Sequence, residues 1–201
     1  KHNIDPDKSP VIQCDLWEFD DEEHILSLQQ DYQLVCHYSD YLSLRQTVFF
    51  SGMLVGSFVT GYFSDKYGRK PTLLVLMLLW STVSLLHVVA FNYVMFLVLQ
   101  FFLAFAALSC WSISWVWIME VSGGKWRIIL GMSSLLTWSI GYIATPGIVY
   151  LLPNWRYCFL AMSLPTLLFG SYYFVLPESP IWLLSKGRHE EANRILRQAT
   201  A

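Results

Sequence analysis

Two tryptophans spaced four residues apart are the side chains of this sequence best suited to hold an organic cation. Trp111 and Trp115 lie in the run CWSISWVWIME, and their spacing places them on one face of a helix. The face of an indole ring attracts a cation by about 0.5–2 kcal/mol, depending on how far the pair is shielded from water. The alternative is that both rings only pack or face lipid, because tryptophan is common at membrane interfaces.

A compact charge cluster, GYFSDKYGRKPT, interrupts the apolar sequence at residues 61–72. Gly61 permits close approach of a neighbouring helix, and Asp65 lies where a helix is expected to end. Gly68 permits a sharp turn with positive φ, and Arg69 adds hydrogen-bond donors at the membrane surface. The spacing indicates a tight charged turn between two helices, with a generic basic membrane-surface turn as the alternative.

Three further charges lie at the ends of apolar runs. Glu120 and Arg127 fall in EVSGGKWR, and Glu178 follows the last long apolar run in PESPIWLLSKGRHEEA. An acid at the end of a membrane span is costly unless it is paired or hydrated, and Arg127 is the nearest candidate partner for Glu120. The alternative is an ordinary charge that reaches from a span into water.

Five long apolar stretches carry these residues. The 201-residue chain is 55% hydrophobic and 14% charged, whereas soluble domains are about a quarter charged. A bilayer core about 30 Å thick needs roughly 20 apolar residues in a helix. Five successive runs with almost no interior charge disfavour the buried helices of a large soluble protein. The predicted membrane spans are about 43–63, 72–91, 93–117, 128–151 and 156–176.

The connections between these stretches differ in charge. Nine lysines and arginines follow the first, third and fifth spans, whereas Arg156 is the only base in the opposite short connections. Because cytoplasmic loops are enriched in Lys and Arg, the basic connections and the C-terminus are predicted to be cytoplasmic. Residues 1–42, which hold ten of the fifteen acidic residues, are then an extracellular loop region.

The two ends of the chain carry separate predictions. An oxidising exterior permits a disulfide between Cys14 and Cys36, or between either of them and a cysteine upstream of Lys1. Because the chain starts without an initiator Met, it is expected to be a segment of a longer protein. Residues 177–201 are predicted to begin a cytoplasmic loop, with an amphipathic helix along the membrane face.

Several motifs together resemble the major facilitator superfamily. The pattern G-x-x-x-D-K-x-G-R-K at residues 61–70 matches that superfamily's loop motif at every defining position. The segment from Glu120 to Arg127 resembles the E-x(6)-R element of its sugar-porter and organic-ion branches, and PESPIWL resembles their PESPRWL signature. CDLWEFD and QLVC in the acidic head resemble the extracellular first loop of organic cation/carnitine transporters, which sugar porters lack. The resemblance covers essentially the whole chain.

The resemblance implies an all-α membrane protein. The five spans would be helices two to six of twelve, within the N-terminal half of the fold. Helix one and the second half would then be the missing remainder of the transporter. A central cavity would lie between the two halves, and rocking of one half against the other would give alternating access.

The resemblance also implies roles for particular residues. Trp111, Trp115 and Trp138 would fall at cavity-lining aromatic positions, and Gln46 at a polar position that faces the cavity or merely caps a helix. The residues expected to form a cytoplasmic gating network are Asp65, Arg69, Glu120, Arg127 and Glu178.

One position departs from the family signature. Ile181 stands where PESPRWL has Arg. One charge of the gating network is therefore missing, which leaves open how the Glu178 carboxylate is satisfied.

The expected function is transport of small organic ions by a multi-pass plasma-membrane protein. The substrates would be cations, zwitterions such as carnitine, or anions. The alternatives are a sugar porter of the same superfamily and a truncated or scaffold membrane protein that transports nothing. Enzyme, cofactor and metal sites are not expected, because Walker A, Ser/His/Asp and metal-ligand patterns are lacking. The absence of a basic stripe argues against nucleic-acid binding. The expected partners are the small organic ion substrate and the lipid bilayer.

Overall fold

Helices dominate the computed structural model, which describes residues 28–32, 40–152, 154–168 and 177–200. Within these ranges the chain forms eight helices: α1 (Leu28–Asp31), α2 (Asp40–Tyr67), α3 (Arg69–Val88), α4 (Tyr93–Val121), α5 (Gly124–Leu151), α6 (Trp155–Leu167), α7 (Pro180–Ser185) and α8 (His189–Thr200).

Four of the described helices are long and apolar enough to cross a membrane. They overlap the first four predicted spans, although α2 extends several residues beyond the predicted 43–63 at both ends. Helix α6 begins at Trp155, next to the predicted start of the fifth span, and residues 169–176 of that span lie outside the described residues. The expectation of an all-α membrane protein is confirmed. The segments that meet this length and hydropathy requirement are Tyr41–Tyr67, Arg69–Val88, Tyr93–Val121 and Trp126–Leu151.

Helix α4 lies at the centre of the described bundle, where it packs against α2 on one side and α3 on another. Gly52 and Gly56 make the α2 contact possible. A Cβ at Gly52 would collide with the Phe101 carbonyl oxygen, and one at Gly56 would lie 2.8 Å from the Phe105 carbonyl oxygen. These matched contacts show that α2 and α4 run parallel. A Cβ at Gly61 would meet no described atom within 4 Å, so this glycine does not extend the close contact.

Two apolar clusters fix α3 against its neighbours. One consists of Leu73, Leu76, Cys110 and Ile113, which join α3 to the second half of α4. The other lies at the opposite end of α3 and includes Val83, Phe96 and Trp155, so that it also holds the start of α6.

His87 is fully buried beside this second cluster. Its Nε2 lies 3.3 Å from Gln100 Oε1, and its Nδ1 lies 3.2 Å from the Val83 carbonyl oxygen. The ring also stacks on Phe159 at a centroid distance of 5.2 Å. Both ring nitrogens therefore have partners inside the bundle, as in a structural histidine.

A short segment before α2 is anchored to the end of the bundle at which α3 ends and α6 begins. Asp31 Oδ2 accepts hydrogen bonds from Trp155 Nε1 at 3.1 Å and from Arg156 Nη2 at 3.0 Å. The Tyr32 hydroxyl donates to the Ala90 carbonyl oxygen at 3.0 Å. Burial raises the pKa of this hydroxyl more than the nearby Arg156 lowers it, so it stays a neutral donor at pH 7. These contacts, here called the Asp31 clasp, give Arg156 an acidic partner.

The last two described helices form a small unit after Pro177. Ser179 caps α7 by accepting a hydrogen bond from the Trp182 N–H at 3.3 Å, and Pro180 occupies the first helical turn. Gly187 has φ +76° and ends α7. Helix α8 carries the predicted amphipathic pattern, with Ala192 fully buried. The predicted disulfide cysteines, Cys14 and Cys36, lie outside the described residues.

Candidate substrate site and charge network

Three tryptophans from two helices form one cluster. The Trp111 ring centroid lies 6.1 Å from that of Trp115 on α4 and 5.0 Å from that of Trp138 on α5. The interplanar angles are 30° and 60°, which are tilted rather than stacked arrangements. The structure therefore brings together the three aromatic residues that the sequence predicted for the substrate cavity.

The rings of this tryptophan cluster differ in exposure. Trp138 is 56% exposed, whereas Trp111 and Trp115 are half-buried. A half-buried indole combines an accessible face with partial shielding from water, and shielding strengthens its attraction for a cation. The arrangement suits a small organic cation that contacts more than one ring.

Gln46, the fourth predicted cavity residue, lies elsewhere. It is exposed and precedes Gly56 on α2 by ten residues, which corresponds to about 15 Å of helix. Gly56 lies beside Phe105 of the parallel helix α4. Trp111 lies about a turn and a half beyond Phe105, so it is still farther from Gln46 along the bundle. The structure therefore does not bring Gln46 to the tryptophan cluster.

Arg69 is the centre of the charge network at the other end of α2. Its guanidinium donates to the Glu120 carboxylate through Nε at 3.2 Å and Nη2 at 3.0 Å. Its Nη1 contacts the Asp65 carboxylate and donates to the Ser64 carbonyl oxygen at 2.9 Å. The Arg69 and Glu120 side chains are 12% and 14% exposed. A two-point guanidinium–carboxylate contact with this burial joins α3 firmly to the end of α4.

Glu178 caps the N-terminus of α3. Its Oε1 accepts hydrogen bonds from the backbone N–H groups of Arg69 at 2.9 Å, Lys70 at 3.1 Å and Ser179 at 3.1 Å. Gly68 has φ 114°, and a Cβ there would lie 2.7 Å from Glu178 Oε2. The first turn of a helix offers free N–H groups and a favourable dipole to a carboxylate. Backbone donors thus satisfy Glu178 although Ile181 replaces the Arg of the family signature.

Arg127 lies apart from this charge network. The expected pairing of Glu120 with Arg127 differs from the structure, in which Glu120 pairs with Arg69. Gly124 has φ +53° and starts α5, and Arg127 is exposed one turn later. Its Nε donates to Met119 Sδ at 3.4 Å. Proximity in the sequence suggested Arg127, whereas the packing of α3 on α4 brings Arg69 to the acid.

Two tryptophans missed by the sequence analysis connect the network to the segment after Pro177. Trp182 Nε1 donates to the Asp65 carbonyl oxygen at 3.0 Å, and Trp117 Nε1 donates to the Pro177 carbonyl oxygen at 3.1 Å. The position of Trp182 within PESPIWL was the available signal. In the described ranges no group of three or more His, Cys, Asp or Glu side chains could hold a metal ion.

The fold and these motifs agree with the family comparison. Residues 18–201 match the model of the family described as "Sugar (and other) transporter". The chain therefore belongs to this transporter family of the major facilitator superfamily.

Particular relatives narrow the resemblance to organic-ion carriers. The chain is 33% identical to human "Organic cation/carnitine transporter 2" over 92% of its own length and 33% of the relative's. It is 32% identical to the "Beta-alanine transporter" of Drosophila melanogaster, over 96% of this chain and 32% of that protein. The recognised resemblance to organic cation/carnitine transporters is confirmed, and the chain spans about a third of the length of these relatives.

Solved structures show the same fold. The proton:xylose symporter XylE bound to 6-bromo-6-deoxy-D-glucose aligns with a TM-score of 0.64 at 22% identity, covering 85% of this chain and 43% of the symporter. A partially occluded inward-open structure of XylE from E. coli aligns with a TM-score of 0.61 at 23% identity, covering 82% and 44%.

Proposed function

We propose that this chain is part of a plasma-membrane transporter for small organic ions, with organic cations and zwitterions such as carnitine as the favoured substrates. The observation that carries the proposal is the tryptophan cluster, in which Trp111 contacts both Trp115 and Trp138. A quaternary ammonium group lacks an N–H, so it is recognised by ring faces and not by hydrogen bonds. The similarity to organic cation and carnitine transporters supports the same substrate class.

The charge network has a separate role in this proposal. Arg69, Glu120 and Glu178 hold the ends of α3, α4 and α7 together. Helices joined in this way move as one block, as alternating access by rocking of two halves requires. Asp65, whose side chain is 76% exposed, remains accessible to a partner in the rest of the transporter. We assign the network to the cytoplasmic gate.

The remainder of the transporter is the proposed partner of α5. Only 6% of the most apolar part of α5 is buried within the described bundle, against 39% for α4. The relatives are about three times as long as this chain. Helices supplied by that additional length, together with lipid, would cover α5.

The orientation follows from the basic connections, with the N-terminal region outside and the C-terminus in the cytoplasm. Single cysteines introduced into a cysteine-free background test it. A membrane-impermeant thiol reagent applied to intact cells should label Phe91→Cys, which lies between α3 and α4. It should label Lys186→Cys, just after α7, only once the cells are permeabilised. The opposite pattern would invert the assignment.

The substrate class is tested by uptake through the complete transporter that contains this chain. Cells expressing it should accumulate radiolabelled tetraethylammonium or carnitine, and Trp111→Ala should reduce that uptake at equal surface abundance. Trp126→Ala is the matched control, because Trp126 is exposed on α5 outside the cluster. Uptake of organic anions alone would make organic anions, and not cations or zwitterions, the substrates of this organic-ion transporter.

A sugar porter is the second candidate, favoured by the family description and by the XylE structures. Uptake of xylose or glucose without uptake of any organic ion would support it. If the surface-expressed protein transports none of these cations, zwitterions, anions or sugars, the proposal of transport fails and a scaffold role takes its place.

A further inference from the structure

Gly131 lies on α5 where that helix meets the tryptophan cluster. It is seven residues before Trp138, so both occupy the same face of α5. A Cβ at Gly131 would lie 3.1 Å from Met119 Cε and 3.6 Å from Trp115 Cη2. The Trp115 indole and the Met119 methyl group therefore occupy the space that a side chain at position 131 would need.

The other glycines in the body of α5 are different. A Cβ at Gly141 or Gly147 would meet no described atom within 4 Å. Gly131 is buried although most of the helix is exposed. Gly131 thus marks a close approach between α4 and α5, and the two other glycines do not.

Met119 occupies the space beside Gly131 together with Trp115. Its sulfur accepts a hydrogen bond from Arg127 Nε at 3.4 Å. Its methyl group faces Gly131, which holds the thioether between two residues of α5. Trp115 accordingly lies back against α5, and its ring is tilted by 30° from that of Trp111.

We propose that Gly131 sets the size limit of the tryptophan site by allowing Trp115 to lie against the α5 backbone. The inference rests on the proposed function of the cluster. A side chain at position 131 displaces Met119 and then the Trp115 indole, which moves toward Trp111. The space beside Trp111 and Trp138 becomes smaller, so that large cations are rejected before small ones. Gly131 is a positioning residue, because it acts through Trp115.

The test compares inhibition of uptake by tetramethylammonium and by tetrabutylammonium in the complete transporter. Gly131→Leu should weaken inhibition by tetrabutylammonium, relative to inhibition by tetramethylammonium, by roughly tenfold. This is the range expected when a pocket loses the volume of one or two methylene groups. Gly131→Ala should change the ratio in the same direction by less, since its Cβ is crowded by the flexible end of Met119 but lies at an ordinary contact distance from Trp115. Gly141→Leu should leave the ratio unchanged.

Trp115→Phe provides a second variant with the opposite expectation. The smaller ring should ease the entry of tetrabutylammonium, and in combination with Gly131→Ala it should restore the wild-type ratio. The inference would be overturned if Gly131→Ala and Trp115→Phe, at normal surface abundance, left inhibition by tetrabutylammonium relative to tetramethylammonium unchanged. It would also be overturned if both variants changed inhibition by the two cations equally. If Trp111→Ala leaves inhibition by both cations unchanged, the proposed function itself is refuted.

Discussion

Glu178 shows at the residue scale what a side-chain pattern cannot reveal. The family signature predicted its place in the charge network, but its partners are three backbone N–H groups, two of them from the first turn of α3. Backbone donors have no sequence signature. The missing Arg at position 181 therefore looked like the loss of a partner, whereas the fold supplies another.

Removal of the Glu178 carboxylate should destabilise the junction between α3 and α7. Glu178→Ala leaves three N–H groups without their acceptor and should cost about 2 kcal/mol. Glu178→Gln keeps a carbonyl acceptor and should cost less. Thermal unfolding of the purified complete transporter measures both, with the exposed Glu190→Ala as control. Equal Tm values for Glu178→Ala and the control would contradict the capping role.

Arg69 and Arg127 were both predicted for the gating network, and the structure separates them. Arg69→Lys loses the two-point contact with Glu120 and should lower stability by about 1.5–3 kcal/mol. Arg127→Lys alters an exposed side chain and should change stability by less than about 0.5 kcal/mol. Melting curves of the two matched variants measure the difference, and equal losses would place Arg127 in the network after all.

At the scale of elements, four of the five long apolar runs coincide with described helices that are long and apolar enough to cross a membrane, because length and hydropathy decide whether a helix can span a bilayer. The contacts between helices were harder to predict from the sequence. Gly52 and Gly61 look alike in sequence, yet only Gly52 faces the Phe101 backbone. The Asp31 clasp was also missed, since 124 residues separate Asp31 from Trp155.

The α2–α4 contact predicts different outcomes for two glycines of one helix. Gly52→Ala places a methyl group against a backbone oxygen, which must move, and should cost about 1–3 kcal/mol. Gly61→Ala meets no described atom within 4 Å and should be neutral or slightly stabilising, because alanine favours helix. Surface abundance and Tm in detergent measure both. Equal tolerance of the two substitutions would show that α2 and α4 do not approach at Gly52.

The Asp31 clasp predicts an order of effects. Asp31→Ala removes one acceptor from Trp155 and Arg156 and should cost about 1 kcal/mol. Arg156→Ala should cost more, because Arg156 also donates to the carbonyl oxygens of Val88 at 3.2 Å and Ala90 at 3.3 Å. Unfolding temperatures establish the order, with the exposed Arg194→Ala as control. A larger effect of Asp31→Ala would contradict the described contacts.

At the scale of the whole molecule, the described helices differ in how far their neighbours cover them. The bundle is well packed around α4, whereas α5 is attached mainly where Trp111 meets Trp138 and Trp115 meets Gly131. The proposed substrate site therefore coincides with the contact between a packed block and an exposed helix. A ligand that enters between these rings would act directly on the position of α5.

In the proposed substrate site, Trp111 contributes an aromatic face to the ligand and does not serve only for packing. The most direct measurement is the affinity of the complete transporter for tetraethylammonium, from inhibition of uptake, with tryptophan, phenylalanine or leucine at position 111. A cation–π contribution of about 0.5–2 kcal/mol corresponds to roughly a 2- to 30-fold loss for Trp111→Leu, with Trp111→Phe between the two. Equal affinities for all three proteins at normal surface abundance would show that Trp111 does not bind the cation.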